Sequence, residues 1–228
     1  ELVNMKVLQV IHGYPPRYNA GSEVYTQTLA NGLAKKHSIH VLTRQENMFL
    51  PEYAMREERD PLDESIELNL INMARGRDGY SHEEVDTQFS NILERIDPDI
   101  VHIGHLNHLS TSLVFEASKR NVPIIFTLHD YWLMCPRGQF IQMYPENPAD
   151  LWALCDGQDN RKCAERCYQR YFAGPDGKAD GDLAHWTSWV QRRMEHVNKV
   201  CEMVDMFIAP SRYLMKRFTD EFGIPSDK

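Results

Sequence analysis

The sequence predicts an α/β fold. We expect a doubly wound, Rossmann-like parallel sheet of about six or more strands, with a cysteine-containing loop insertion. Two observations carry this expectation. Short, near-continuous apolar runs alternate with stretches of helical periodicity, the pattern of βαβ units whose strands are buried on both faces. Polar residues follow those runs directly, at His12-Gly13, Thr43-Arg44, Asn72, Gly104-His105, His129-Asp130 and Ser211-Arg212. Open α/β sheets bind ligands outside the carboxyl ends of their strands, so these residues gather on the edge where a ligand is expected.

The elements follow in order. Met5 to Ile11 is an apolar strand. After Pro15-Pro16, Ser22 caps a helix reaching Lys36, with Tyr25, Leu29 and Leu33 on one face. Ser38 to Thr43 is a second strand, and residues 44–64 are charged and irregular, a loop or short helix. Ile66 to Ile71 is a third strand. Ser81 and Glu84 form a capping box for a helix whose stripe is Val85, Phe89, Ile92, Leu93 and Ile96, and Asp97-Pro98 stops it.

Ile100 to Ile103 is the fourth strand, Ser110 to Arg120 a helix, and Pro123 to Leu128 the fifth strand. Residues 135–180 break the rhythm and hold most of the cysteines. A long helix from His185 to Val204 turns Trp186, Trp189, Val190, Val197, Val200 and Val204 inward. Met206 to Ala209 is a sixth strand. Ser211 caps a last helix carrying Leu214, Phe218 and Phe222, closed by Gly223 and Pro225. The chain ends after this helix stop, where a linker is expected to begin.

Composition narrows the class. The 228 residues fit one large or two small domains, and 42% apolar with 25% charged residues is ordinary for a globular protein. A net charge of −8 argues against general binding of nucleic acid or anionic membranes. No apolar run approaches the roughly 18 residues of a membrane span. The first residues lack the pattern of a signal peptide, and Met5 reads as a natural start. Five cysteines in that context favour a reducing compartment, hence thiols or metal ligands over disulfides. The expected location is cytoplasmic, with at most peripheral association at the inner face of the membrane.

Several residues could carry chemistry. The loop HGYPPRYNAGSE lacks GxGxxG, so a dinucleotide site is not expected. It does place Gly21 and Ser22 at a helix N-terminus, which suits a phosphate; equally, they serve as turn and cap. His129 is either a contact to a substrate hydroxyl or a strand-end histidine bonded to backbone, and Asp130 is a turn residue. His102, His105 and His108 recur at steps of three. That spacing does not line one face of a strand, so a metal is not expected there. Cys135, Cys155, Cys163 and Cys167 lie close in sequence, with Cys163 and Cys167 on one helical face. A structural zinc would staple a loop-rich insertion, although none of the spacings is C-x2-C; free thiols or a disulfide are the other readings. Cys201 reads as core. Arg161, Lys162, Arg166 and Arg170 read as a solvated basic face.

Together, MKVLQVIHGYPP, AGSEVYTQTLANGLAKKHSIHVLT, PDIVHIGH, VPIIFTLHDYWLMCPRG and VDMFIAPSRYLMKRF resemble the N-terminal domain of a family 4 glycosyltransferase. The HDYW-CPRG form resembles the bacterial surface-polysaccharide subset. The resemblance covers essentially the whole chain and implies the two-domain GT-B architecture. It implies retaining transfer of a sugar from a nucleotide-sugar donor to a glycan or lipid-linked acceptor, with no catalytic metal. It makes residues 1–228 the acceptor-side domain and assigns the nucleotide to a C-terminal domain absent from this chain. On that basis His129 lies at the reacting centre. Gly21 and Ser22 lie near the donor diphosphate, and Arg212 on the donor side of the cleft. His12, Tyr14, His105 and Asn107 lie on the acceptor side. Many members have two glycines where this chain has Gly21-Ser22. The chain alone is then expected to be inactive. A non-catalytic glycan- or partner-binding module of a split transferase is the alternative. A sugar-nucleotide epimerase is a third reading, which PSRYL disfavours.

Overall fold

The computed structural model describes residues 4–74, 79–147, 149–168 and 180–228. Arg170, and with it residues 169–179 of the insertion, lies outside the described residues. The chain divides into two compact units. The first comprises Glu1–His129, Val200–Met215 and Pro225–Lys228, and the second Asp130–Lys199 and Lys216–Ile224.

The first unit is built on a seven-stranded sheet. Its strands are β1 (Lys6–Ile11), β2 (Ser38–Gln45), β3 (Met55–Arg59), β4 (Glu67–Asn72), β5 (Ile100–Ile103), β6 (Ile124–Thr127) and β9 (Met206–Ile208), in the order β3-β4-β2-β1-β5-β6-β9. All pair in parallel except β3, which is antiparallel to β4. Its helices are α1 (Gly21–Leu33), α2 (Glu83–Ile96) and α3 (Leu113–Lys119). Both sheet faces are buried. Val7, Ile11, Val41, Leu68 and Leu70 share one cluster with Ala30 and Leu33 of α1, while the alternating Leu8, Val10, Leu42 and Ile71 are equally covered.

The α/β expectation holds, with four local corrections. Helix α1 starts at Gly21 with Ala20 as its N-cap and no side-chain cap bond, so Ser22 lies inside the helix. Its buried face is Glu23, Thr26, Gln27 and Ala30, whereas Tyr25 is exposed. The apolar stripe misleads there because α1 packs partly on a polar floor: Gln9 and Thr43 are buried in β1 and β2. Second, residues 44–64 contain β3, MREER, an edge strand rich in charge, which discourages pairing with a further strand. Arg17 and Arg95 reach its Glu58 and Glu57. Third, the Ser81–Glu84 capping box does not form. His82 is the N-cap, and Ser81 Oγ contacts Ser112 Oγ instead. Fourth, α3 begins three residues late because the Thr111 N–H and hydroxyl both donate to the Tyr80 carbonyl.

The second unit is the insertion. Strands β7 (Ile141–Gln142) and β8 (Ala153–Leu154) pair antiparallel, and α4 (Asn160–Cys163) continues into a π-helical turn, Ala164–Tyr168. Cys163, Cys167, Tyr168, Val190 and Met194 form its core, with Trp186, Trp189 and Phe222 packed against it. Those residues after 180 belong to α5 (Asp180–Met203) and the segment following α6 (Arg212–Asp220). Periodicity located the valines of α5 but not Arg193, which is 1% exposed. Its Nη2 donates to the Trp132 carbonyl at 2.6 Å and its guanidinium stacks on the Trp132 ring at 4.9 Å. The Arg217 guanidinium lies 4.9 Å from the Phe140 ring and 5.3 Å from that of Tyr131. Two arginines thus pin the aromatic residues of the HDYW-CPRG segment. Gly223, at φ +80°, turns the chain after α6 as expected. Lys162 pairs with Asp156 and Arg166 with Glu146, so these two basic side chains have acidic partners at the surface. Among the described residues, no helix is long and apolar enough to cross a membrane.

Candidate functional site

The site of the first unit sits where β1, β5 and β6 end. His12 follows β1, Gly104 and His105 follow β5, and His129 follows β6. The Gly104 N–H donates to the Val10 carbonyl, so β5 stays in register with β1 up to the point where both chains leave the sheet. Gly104 also faces α1 at close range. A Cβ there would lie 2.9 Å from Thr26 Oγ1 and 3.0 Å from Ile11 Cδ1. The absence of a side chain at 104 lets the polar face of α1 descend onto the strand ends.

That descent brings in a residue that sequence reasoning missed. Glu23 is only 4% exposed. Its Oε1 lies 3.3 Å from His12 Nε2, and its Oε2 accepts from Ser22 Oγ at 2.8 Å. The His12 ring in turn meets that of His105 edge-on, with centroids 4.6 Å apart, and that of His108 at 6.5 Å. A negative side chain in the first turn of a helix after a strand-end histidine was the available signal; it reads at first as ordinary support of the helix dipole.

Of the residues singled out, His12 and Ser22 meet Glu23, and His105 packs against the His12 ring. Ser22 is neither cap nor open donor, because its hydroxyl is committed to that carboxylate. Gly21 is exposed, with open space around its Cβ direction. Asn107 donates its backbone N–H to His105 Nδ1 at 3.0 Å, which places the neutral ring's proton on Nε2. Tyr14 departs from the acceptor-side expectation. It is buried in the core, and its hydroxyl donates to Asp60 Oδ2 at 2.6 Å. Burial and that carboxylate drive its pKa far upward, so it anchors the loop. Arg212 is exposed at the start of α6, whose capping bond runs from the Leu214 N–H to Ser211 Oγ at 3.2 Å.

His129 is half-buried. Its ring meets Tyr25 edge-on at 4.9 Å, so the tyrosine that periodicity assigned to the core packs against the site histidine. Beneath it, His102 is nearly buried, with Nε2 2.8 Å from Thr127 Oγ1. Burial, aided by the nearby His129, pushes the His102 pKa down to about 4. It is therefore a neutral hydrogen-bonding strut. Asp130 is the turn residue expected, accepting the Trp132 N–H at 2.8 Å. Arg44 is fully buried and donates to the carbonyls of His12 and Met73, tying the ends of β1 and β4 together from β2. The four insertion cysteines, Cys135, Cys155, Cys163 and Cys167, are in no disulfide and line one pocket of the second unit; Cys201 is half-buried and likewise outside any disulfide.

Residues 19–228 match the model of Glycosyltransferase Family 4. The chain is 28% identical over 174 residues to an uncharacterized 42.6 kDa protein in the cps region of Klebsiella pneumoniae. That alignment covers 66% of this chain and 44% of the relative, so the chain spans less than half of the relative's length. Among solved structures, the trehalose 6-phosphate synthase of Burkholderia multivorans matches at TM-score 0.42 and 11% identity, covering 98% of this chain and 44% of the other. The catalytic domain of Arabidopsis thaliana starch synthase IV, bound to ADP and acarbose, matches at 0.35 and 14% identity, covering 57% and 34%. Because the family match extends over nearly all of the sequence, from the loop before α1 to the last residue, this chain belongs to glycosyltransferase family 4.

Proposed function

We propose that residues 1–228 are the acceptor-side half of a two-domain, GT-B-type transferase. It moves a sugar from a nucleotide donor to a glycan or lipid-linked acceptor, with retention at the anomeric carbon. The observation that carries this reading is the polar cluster at the ends of β1, β5 and β6 in a family 4 chain: His12, Glu23, His105 and His129. Membership of the family supports the transferase class. The location of the Klebsiella relative supports, by analogy, a surface-polysaccharide acceptor. Its greater length is what a second, nucleotide-binding domain would add.

In this reading the strand-end side chains work by placement. His12 and His105, held by Glu23 and by the Asn107 backbone, offer ring N–H groups or lone pairs to acceptor hydroxyls. Gly21 presents an unobstructed backbone at the start of α1, where helix N–H groups suit a diphosphate. Arg212 adds charge on the donor side. His129, braced by Tyr25, stands at the reacting centre, where a positioned dipole favours an oxocarbenium-like transition state. Closure of a second domain would exclude water and bring the remaining charge. No metal is assigned a role in the transfer. The protein would work in the cytoplasm, at most peripherally on a membrane.

The test uses the full-length protein and a panel of nucleotide sugars. The product's anomeric configuration, read by NMR, should equal the donor's; inversion overturns the proposal. His129→Ala should lower kcat by about 100-fold or more with an unchanged circular dichroism spectrum. Wild-type turnover in that variant would make His129 structural. Residues 1–228 alone should give no turnover.

A further inference from the structure

The cysteines of the second unit belong to none of this. Cys135 follows the HDYW turn, Cys155 follows β8, Cys163 ends α4 and Cys167 lies in the π-helical turn. Four separate places in the chain thus bring a cysteine to the wall of one pocket. We infer that Cys135, Cys155, Cys163 and Cys167 form a tetrathiolate site for a single soft divalent ion, zinc first among them.

The chemistry of the lining favours such an ion. Among the described residues, no carboxylate lines the pocket; the other walls include Phe140, Ile141 and Tyr168. A hard cation would find no charged oxygen there, whereas thiolates select zinc and its softer neighbours. The free space is about 10 Å³, close to one water-sized sphere, which suits one ion better than an iron–sulfur cluster. Arg137 also lines the pocket and would offset the charge of four thiolates on one dication.

Two further features fit. The π-helical turn directly after Cys163 places Cys167 differently from a regular α-helical turn, and such bulges recur at functional sites. The unit's core is also small and consists partly of the thiols themselves, so a metal staple would add stability that apolar packing does not supply. Among the described residues, no three His, Cys, Asp or Glu side chains already stand as a ligand set. The thiols therefore have to rotate inward on binding. Binding then balances as four thiols and one Zn²⁺ giving one tetrathiolate dianion and four protons.

Elemental analysis of the purified full-length protein, grown with zinc supplied, tests this independently of any transferase assay. We expect about one zinc per chain. Cys135→Ser and Cys163→Ser should each fall below about a tenth of that, while Cys201→Ser, on α5, keeps it. Should the serine variants fail to fold, the wild-type chain still decides. Stripped with chelator and given Co²⁺, it should show the sulfur-to-cobalt charge-transfer absorption of a thiolate site. A folded wild-type protein without zinc, zinc retained in Cys163→Ser, iron with labile sulfide, or cobalt without that absorption each overturns the inference.

Discussion

Nε2 of His12 lies 3.3 Å from Oε1 of Glu23, and the carboxylate is almost sealed from solvent. The histidine follows β1 and the glutamate lies in the first turn of α1, so the pair ties the end of the first strand to the first helix. It also fixes which way the His12 ring faces, and through the edge-on contact, that of His105.

Glu23 acts through His12 and is a positioning residue. Glu23→Gln keeps the shape but removes the charge that orients the ring. In the full-length protein, kcat/KM for the acceptor should drop about 10- to 100-fold, with the donor KM nearly unchanged. The melting temperature and far-UV spectrum separate this from unfolding. Equal effects on donor and acceptor parameters would show that the pair merely holds the fold.

Gly104→Ala tests how closely α1 must approach. The new methyl would meet Thr26 Oγ1 at 2.9 Å, and that hydroxyl is held by its bond to the Ser22 carbonyl at 2.8 Å. It would also meet Ile11 Cδ1 at 3.0 Å, in the buried core. We expect a loss of about 1–3 kcal/mol in urea unfolding. Adding Thr26→Ala should recover part of it, because the sterically committed hydroxyl is then gone. Simple additivity of the two losses would show that the clash lies elsewhere.

These two sites mark what the sequence could and could not disclose. The strands and the α2 stripe were legible because apolar period and length suffice for parallel strands buried on both faces. His12, His105 and His129 were legible because strand ends in this architecture face a ligand edge. Glu23 was not, since an acidic residue in a first helical turn has a common local explanation and its partner lies eleven residues earlier. The α1 face was misread for a related reason: Leu33 packs on the core as its period suggests, but Tyr25 is exposed and Glu23, Thr26 and Gln27 are buried, over a floor containing Gln9 and Thr43. Strand β3 was invisible because an edge strand needs charge more than apolar alternation. Ser81 lost its cap to a hydroxyl partner 31 residues away, which no local pattern encodes.

Asp86, on α2, carries a cost that a single substitution should remove. Burial is the main cause of its raised pKa, about 6, countered by a Ser110 hydrogen bond and reinforced by Glu116 and Glu83. Between the ordinary carboxylate value of 3.8 and about 6, the native state therefore binds more protons than the unfolded one. Stability contributed by this group falls as pH rises through that window. Asp86→Asn should gain about 1 kcal/mol at pH 8, a figure discounted for the side chain's partial exposure. Urea unfolding at pH 8 checks it; a loss of stability would mean that the ionised carboxylate supports the α2 N-terminus.

His102 has the opposite sign. Its pKa falls from 6.5 to about 4 because burial disfavours the imidazolium, with His129 adding to the effect. Between those values the unfolded chain binds the extra proton. The stability associated with neutral His102 is complete above pH 6.5, declines as the pH drops, and is exhausted below about 4. The slope approaches about 1.4 kcal/mol per pH unit, and the whole effect is at most about 3 kcal/mol. Asp86 works against it over part of the window, so the wild-type profile alone is a poor readout. The difference between wild type and His102→Gln cancels the carboxylates. Measured by urea unfolding, that difference should shift by about 2 kcal/mol between pH 7 and pH 5, with the wild type losing more. Parallel profiles would mean that the imidazole keeps its proton inside the fold, shared with Thr127 and stabilised by groups that outweigh its burial.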